Sequence, residues 1–577
     1  MGVRRSILGV GSALAAAALM AGCGASPSKT TSTSAKPVAG GTIVYALPAQ
    51  TNLTWFFPLA NLSNNSLYNF QLVDQLYKPL LWINNKYGID WKDSIAQKIS
   101  YNKAGTVYHV FMNPKWKWSD GNPVTSADVL WTWKIIQAVS NKNAPSPWPY
   151  VGAGTGDIPS GVQSVTANGK YEFTVTLKKP ANQEWFIYNG LSQLLPLPKQ
   201  VWNRYPNNIT QEITYLGKEA THPSFDKVVD GPYTLAKAVP NQAWTLKPNP
   251  HYGGPKAYDS VVVSYESSNE AEFAGLRTGT VQVGYVDLSE YKSIGQLTGD
   301  RTFVGYPLDM NFMALNFSPN AQNGLGPVFK HLYVRQAMEE AINQPAIDKS
   351  VYQGFGPPQY GPIPTTPATE YLDPALKKAV YPYDPKAAKK LLEAHGWTEK
   401  NGVMTNKKGQ QLKFTVIYSS GTQTIQQQMQ IIAQDYANIG IKITLKPMSF
   451  STMLGIIGSP ANASKWDAVS GLGIIYGGSY PSGEQDFATG GGNNLMDFSN
   501  HQEDALIQKT TEPATSKAVN FQNFYAYEDY TAKELPVLWL NNTGQVNAVA
   551  KNVHGVNAET INNVTGYPQM QYWWTSK

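Results

Sequence analysis

Residues 414–445 read FTVIYSSGTQTIQQQMQIIAQDYANIGIKITL, and this stretch predicts a strand, a helix and a second strand. Apolar side chains recur at every second position over 414–418 and 441–445, as they do in half-buried strands. Between 422 and 438 they recur at helical spacing, and Gly440 follows where a helix of this length would end. A strand-helix-strand unit favours parallel pairing of its strands, so the sequence predicts an α/β fold with mixed α and β elements.

A second stretch, residues 117–129, reads KWSDGNPVTSADV and predicts a turn followed by a helix. The Asp-Gly pair at 120–121 favours a tight turn. Thr125 and Asp128 fit a capping box, in which Thr125 accepts a hydrogen bond from an early helical N–H and Asp128 reaches back to the N-cap. The apolar residues that follow, beginning with Val129, would form the buried face of the helix.

Composition limits the classes of function. The chain has 577 residues, of which 42% are hydrophobic, enough to bury a sizeable core over several domains. The formal net charge is +6, and its Lys and Arg residues are scattered, which argues against a nucleic-acid partner. Charged residues make up only 15%, below the roughly 25% of typical soluble domains. A surface that depends so little on ionised side chains would suit an acidic exterior.

The N-terminus has the layout of an export signal, predicted to span residues 1–22. Arg4 and Arg5 precede an apolar run of about 15 residues, shorter than the roughly 20 that a membrane-spanning helix needs. Cys23, the only cysteine, follows in what looks like a lipobox, the motif whose cysteine is lipidated. Residues 23–39 would form a flexible tether. We therefore expect a lipid-anchored protein on the outer face of the cell membrane; the alternative is an ordinary secretory signal with a chance cysteine.

The sequence carries no recognisable catalytic or metal-binding motif. Its seven histidines lie far apart, and no nucleophile elbow, phosphate loop or dinucleotide fingerprint is present. The glycine-rich stretch 152–156 is predicted to be a surface turn. Glu484 and Asp486 are interpreted as solvated loop residues, but they leave a carbohydrate-active hydrolase open, because such an enzyme needs only two carboxylates that the fold brings together. Otherwise we expect no enzyme activity, no cofactor and no metal.

Five motifs, in order along the chain, resemble one protein family. They are Tyr77-Lys78-Pro79-Leu80-Leu81, the 117–129 stretch, Gly231-Pro232-Tyr233-Thr234-Leu235, Val334-Arg335-Gln336-Ala337 and Tyr383-Asp384-Pro385. They are similar to motifs of the extracellular solute-binding proteins of family 5, which serve oligopeptide and dipeptide import systems. The resemblance runs from about residue 40 to the C-terminus, so it covers nearly the whole expected mature chain.

The resemblance implies a periplasmic-binding-protein-like fold of type II, with two lobes joined by a hinge and an extra subdomain. Lobe I would be built from 40–83, 196–308 and 521–577, its subdomain from 84–195, and lobe II from 309–520. The 117–129 stretch would then be structural. The protein would be a monomer that encloses a peptide or peptide-like solute between its lobes and delivers it to the permease subunits of an ABC importer.

In peptide-binding relatives a segment like GWxADYPDP lines the cleft, and its aspartate pairs with the α-ammonium group of the peptide. Here residues 475–481 read IYGGSYP, which puts Ser479 at the aspartate position. A charge-assisted hydrogen bond contributes about 1.5–3 kcal/mol and a neutral one about 1 kcal/mol. This departure therefore weakens the peptide assignment.

Three interpretations of the ligand site stay open. Either Glu484 or Asp486 replaces the missing carboxylate, or main-chain and aromatic contacts hold the peptide, or the ligand is an oligosaccharide or a metal chelate. Core packing is the alternative for each aromatic candidate. The predicted ligand-binding residues are Tyr45, Trp55, Tyr476, Ser479, Tyr480, Glu484 and Asp486.

Overall fold

The computed structural model describes residues 37, 39–141, 146–225 and 227–576. From Pro37 to Lys577 the chain forms one compact unit. The predicted signal peptide, the predicted lipidation site Cys23 and most of the predicted tether lie outside the described residues. In the described part, no helix combines the length and the apolar composition that crossing a membrane requires.

A mixed sheet of seven strands is assembled from distant parts of the sequence. Its central strand, Thr42–Ala46, pairs in parallel with the strands on both sides. Ile43, Val261 and Val283 are fully buried, so the first strand shares its core with segments more than 200 residues away. In spatial order the strands are Asp300–Gly305, Gln545–Ala550, Val283–Val286, Thr42–Ala46, Ser260–Ser264, Ala243–Pro248 and Tyr233–Val239.

A second mixed sheet, of five strands, contains the unit predicted for residues 414–445. Strand Lys413–Ser419, helix Gln423–Asn438 and strand Lys442–Met448 follow one another, and the two strands pair in parallel, which confirms the prediction. Gly440 ends the helix with φ = +78°, a left-handed conformation that glycine adopts without strain. In spatial order the strands are Lys442–Met448, Lys413–Ser419, Ala468–Ile475, Asp309–Leu315 and Leu538–Leu540.

An antiparallel sheet of four strands stands apart from the other two. Helix Ser126–Val139 packs beside it and begins at the predicted capping box, where the Thr125 N–H donates to the Asp128 carboxylate at 2.8 Å. The predicted turn is present as well, with Gly121 at φ = +88°. In spatial order the strands are Ala96–Tyr101, Val107–Met112, Glu172–Leu177 and Val162–Gly169.

Helices cover the faces and ends of these sheets. The described α-helices of eight or more residues are Leu67–Leu76, Ser126–Val139, Ile209–Glu219, Asn269–Thr278, Leu332–Glu340, Pro385–Ala394, Gln423–Asn438, Phe450–Ile457, His501–Thr511 and Lys517–Glu534. Shorter α-helices are Gln183–Trp185, Lys199–Trp202, Gly326–Phe329, Gln344–Ser350 and Ala558–Ile561. Two small ribbons pair Thr398–Lys400 with Val403–Thr405 and Val553–His554 with Trp574–Thr575. The mixed α/β fold expected from the sequence is thus confirmed.

The described chain passes between the seven-stranded and five-stranded sheets at two places. Residues 306–308 connect Asp300–Gly305 to Asp309–Leu315, and residues 541–544 connect Leu538–Leu540 to Gln545–Ala550. Both connections are short enough to serve as hinge strands. The division into lobes remains a proposal, and we move its last boundary from 521 to about 541, because Leu538–Leu540 pairs with the five-stranded sheet.

Candidate functional site

A cavity of about 490 Å³ lies between the seven-stranded and five-stranded sheets. Tyr45 and Tyr285 line it from the first sheet, and Asp309 and Ile475 line it from the second. Residues 476–486, which we call the cleft loop, follow strand Ala468–Ile475 and form much of one wall. The volume is typical of a site for a small molecule, whose usual range is roughly 300–1,000 Å³.

Six of the seven predicted ligand-binding residues line this cavity, and Trp55 does not. The Trp55 side chain is buried in the core, where its Nε1–H donates to the Leu59 carbonyl at 3.0 Å and its ring packs on Trp148. Because the polar atom of Trp55 has a partner within the core, the structure supports the alternative of core packing for this residue. The six that line the cavity are Tyr45, Tyr476, Ser479, Tyr480, Glu484 and Asp486.

The hydroxyl groups of Tyr45, Tyr476 and Tyr480 are all hydrogen-bonded within the protein. Tyr45 donates to the Gln71 side chain at 3.2 Å, and burial raises the pKa of its hydroxyl above the usual value. The Tyr476 hydroxyl donates to the Pro362 carbonyl at 2.9 Å. The Tyr480 hydroxyl accepts from Asn520 at 3.1 Å. Because each hydroxyl already has a partner, these side chains present mainly ring surface to the cavity.

The cleft loop is bonded to the part of the chain that forms the four-stranded sheet. Asn189 makes two hydrogen bonds with the main chain of Tyr480, and the Tyr87 hydroxyl donates to the Ser479 carbonyl at 2.7 Å. On another side of the cavity, Thr424 donates to the Asp287 carboxylate at 2.8 Å. These bonds join residues on opposite sides of the cavity.

Glu484 is the most tightly held residue of the cleft loop. Its carboxylate accepts from the Gly156 N–H, from the Trp185 Nε1–H at 2.5 Å and from the Ser482 hydroxyl at 3.2 Å. Burial raises the pKa of Glu484 to about 7. The interpretation of Glu484 as a solvated loop residue was therefore wrong, because the residue is only partly exposed and two of its three partners, Gly156 and Trp185, lie some 300 residues away.

The glycine-rich stretch 152–156 forms a turn, as predicted, and Gly154 is exposed, but the end of the stretch lies inside the protein. Gly156 is buried with φ = +62°, and a Cβ atom at this position would lie 2.4 Å from the Gly190 nitrogen. Only glycine allows this approach of two main chains. The stretch therefore supplies an N–H to Glu484 from inside the protein.

Asp486 is also buried, contrary to the solvated interpretation. It accepts from the Asn493 side chain at 3.1 Å, and burial raises its pKa to about 6. Neither Glu484 nor Asp486 is therefore an ordinary surface carboxylate. Both line the cavity, as the sequence predicted for ligand-binding residues, and their contact with a ligand remains a prediction.

Two further carboxyl groups of the wall were missed by the sequence analysis. Asp287 accepts from Thr424 and from the N–H and hydroxyl of Ser289. The Asp309 side chain, at the start of its strand, accepts one hydrogen bond among the described residues, from Asn311 at 3.3 Å. Burial raises the pKa of Asp309 to about 8. No sequence motif marks either residue. The one signal in the sequence was the position of Asp309 at the predicted boundary between the lobes.

The wall as a whole is acidic, amide-rich and aromatic. Among the described residues that line it, none is Lys, Arg or His. In the part of the chain that the structure describes, no group of three or more His, Cys, Asp or Glu side chains is arranged to hold a metal ion. Side-chain amides, hydroxyls and tyrosine rings can bind a polar organic ligand without covalent chemistry.

A family profile described as "Bacterial extracellular solute-binding proteins, family 5 Middle" matches residues 91–494. The oligopeptide-binding protein AppA of Bacillus subtilis (strain 168) is 24% identical over 462 residues, which cover 78% of this chain and 77% of AppA. The family profile and the alignment with AppA thus each cover most of the chain.

Two solved structures share the fold. The structure of Bacillus subtilis AppA in complex with a nonapeptide superposes with a TM-score of 0.80 at 20% identity, covering 94% of this chain and 100% of AppA. The structure of NikZ from Campylobacter jejuni in complex with Ni(L-His) superposes with a TM-score of 0.73 at 17% identity, covering 93% and 99%. Since these two proteins hold different ligands, the fold alone does not identify the ligand.

Proposed function

Because the chain belongs to the bacterial extracellular solute-binding proteins of family 5, we propose that it captures a peptide or peptide-like solute and delivers it to an ABC importer. The names of its relatives support the peptide part, since AppA is an oligopeptide-binding protein. Neither an oligosaccharide ligand nor a hydrolase activity is favoured by these relatives.

The observation that carries the proposal is the cavity between two sheets. Its opposite walls are joined by the bonds of Asn189, Tyr87 and Thr424, and in the described part of the chain two short connections link the sheets. A cavity of this kind admits its ligand by rotation of one lobe against the other. The permease would then distinguish the closed form from the open one.

The ligand would be held by hydrogen bonds and ring contacts. Ser479 replaces the aspartate of the peptide-binding relatives, and its carbonyl is already bonded to Tyr87. Tyr45, Tyr476 and Tyr480 offer ring surface on which the apolar part of a peptide can pack. Main-chain groups of a peptide would pair with the amides and hydroxyls of the wall.

Native mass spectrometry tests the proposal. The protein purified without denaturation is expected to carry a ladder of short peptides, and isothermal titration with the released peptides should restore binding. A discrete sugar or metal chelate in place of peptides would contradict the peptide part. Steady hydrolysis of glycosides or peptides, abolished by Glu484→Gln or Asp486→Asn, would contradict the assignment as a binding protein.

We also propose that Cys23 carries a lipid that anchors a monomeric protein to the outer face of the cell membrane. The apolar run before Cys23 and the Ser/Thr-rich residues after it support this. The unaltered protein should partition into the detergent phase of a Triton X-114 extract, and Cys23→Ala should move it to the aqueous phase. Equal partitioning of both would contradict the anchor, and a dimer mass in light scattering would contradict the monomer.

A further inference from the structure

Four carboxyl groups line the cavity, and no described lining residue carries a basic side chain. The four are Asp287, Asp309, Glu484 and Asp486. An acidic cluster alone does not define a site, because carboxylates are often satisfied by the protein itself. The hydrogen bonds of each group therefore decide which one is available to a ligand.

Asp287 and Glu484 each accept three hydrogen bonds from the protein, and Asp486 accepts one. Asp287 is held by Thr424 and Ser289, and Asp486 by Asn493 at 3.1 Å. Glu484 accepts three hydrogen bonds, two of them from the opposite wall. These groups fix the position of the cleft loop and the closure of the cavity.

Asp309 is different. It is 9% exposed, and its Oδ1 has no hydrogen-bond partner among the described residues. Its Oδ2 accepts one weak bond, from Asn311 at 3.3 Å. A buried carboxyl oxygen left unpaired is unfavourable, and a cationic partner would remove that cost. The Asp309 side chain is therefore incomplete without a further donor.

The surroundings of Asp309 suit a cation. It lies opposite Ile475 in the five-stranded sheet, immediately before the cleft loop begins. Tyr68 and Tyr476 are close enough for the charge of Asp309 to raise the pKa of both hydroxyls, although burial is the largest cause. Tyrosine rings attract a cation near their faces. Carboxylate and rings thus converge on one region of the wall.

We propose that this cavity selects a positively charged ligand and that Asp309 supplies the carboxylate that pairs with its cationic group. The proposal rests on the proposed function in that the ligand is the captured solute. The negative charge that pairs with the ligand would thus come from Asp309, outside the cleft loop. Within the loop, Ser479 stands in the position of the usual aspartate. A ligand whose own carboxylate enters the cavity would find no basic partner among the described lining residues.

A charge-resolved binding experiment tests the proposal. Full-length protein, freed of ligand by unfolding and refolding, is mixed with a peptic digest of casein, and retained peptides are identified after ultrafiltration. We expect retained peptides to be more positively charged than the digest. Asp309→Asn should remove this bias and weaken binding of the preferred peptides at least about tenfold.

Glu339→Gln is the matched control. Glu339 is buried with a pKa raised to about 8, as for Asp309, but it does not line the cavity. This variant should keep the charge bias. Retained peptides with the charge distribution of the digest, or an equal bias in Asp309→Asn, would overturn the proposal while leaving peptide capture intact.

A second probe separates the two proposals if no peptide is retained. The proposal of peptide capture would then fail. The charge proposal would be tested by comparing the affinity for spermidine with the affinity for tetraethylene glycol, an uncharged chain of similar length. Spermidine should bind the unaltered protein and Glu339→Gln at least about tenfold more tightly than Asp309→Asn. Equal binding of the two probes, or no effect of Asp309→Asn, would overturn it.

Discussion

The side-chain amide of Asn189 pairs with both main-chain polar groups of Tyr480, accepting from its N–H at 2.8 Å and donating to its carbonyl at 3.0 Å. Asn189 lies beside the four-stranded sheet and Tyr480 in the cleft loop, so the pair holds the cavity closed. Asn189→Ala should weaken ligand binding about tenfold or more, because two buried bonds of about 1 kcal/mol each are lost from the closed form alone.

Isothermal titration with the co-purified ligand measures this loss, and small-angle scattering should show a larger radius of gyration. Asn249→Ala is the control, since buried Asn249 also accepts a main-chain N–H and donates to a main-chain carbonyl, but away from the cavity. It should lower thermal stability without changing affinity. Equal affinity losses in both variants would show that Asn189 has no special part in closure.

Trp185 and Trp202 offer a second matched pair. Both indoles are buried, but the Trp185 Nε1–H donates to Glu484 across the cavity, whereas the Trp202 Nε1 has no partner among the described residues. Trp185→Phe should weaken ligand binding several-fold, because Glu484 loses a donor in the closed form. Trp202→Phe should alter stability only. Unchanged affinity in Trp185→Phe, measured by titration, would refute this account of closure.

Alanine substitutions at Gly156 and Gly154 distinguish the stability cost of a steric clash from the cost of a left-handed backbone conformation. Both have positive φ, but a Cβ atom at Gly156 would press against Gly190, whereas one at Gly154 meets nothing within 4 Å. Gly154→Ala should cost about 1 kcal/mol of unfolding free energy, the usual penalty for a left-handed residue. Gly156→Ala should cost at least about 3 kcal/mol. Urea denaturation measures both, and equal losses would contradict the tight packing of Gly156.

Acidification should stabilise the folded protein. Burial raises the pKa of six carboxyl groups into the range from about 6 to 8: Asp74, Asp309, Glu339, Glu484, Asp486 and Glu503. At pH values between the unfolded-state and folded-state pKa of such a group, the folded state binds more protons than the unfolded state. The contribution of these groups to folding stability is therefore fully present below about pH 4 and is lost as the pH rises through 6 to 8. Groups whose pKa is lowered in the folded state act in the opposite direction, and these include Lys78, Lys115, Asp120 and Glu270.

Tm should therefore be several degrees higher at pH 5 than at pH 8, as measured by differential scanning calorimetry. Asp309→Asn and Glu339→Gln should each reduce the difference, because each removes one titrating group. A Tm that stays level or falls between pH 8 and pH 5 would contradict the burial of these groups. The low content of charged side chains had already suggested tolerance of an acidic exterior.

Local patterns predicted local structure well. The unit at 414–445 formed as expected, because apolar periodicity and Gly440 act within one segment. The capping box of Thr125 and Asp128 formed for the same reason. Family motifs predicted two lobes and a hinge, an arrangement that no single segment specifies and that stays a proposal.

The site was less accessible to prediction, because its chemistry depends on distant pairs. Glu484 looked solvated since its donors, Gly156 and Trp185, lie far away in sequence. Trp55 and Tyr45 are both aromatic residues near the N-terminus, and composition could not tell which lies in the core and which at the wall. Asp309 drew no attention because only the folded structure reveals an oxygen without a donor.

The placement of strand Gln545–Ala550 bears on how the protein is made. It lies between Val283–Val286 and Asp300–Gly305, so the seven-stranded sheet has a gap until residue 550 of 577 has been synthesised. A nascent chain ending before residue 545 is expected to stay sensitive to protease, because Val283–Val286 and Asp300–Gly305 lack the strand that lies between them. Such late completion would keep the newly made chain unfolded long enough to pass through a secretion channel.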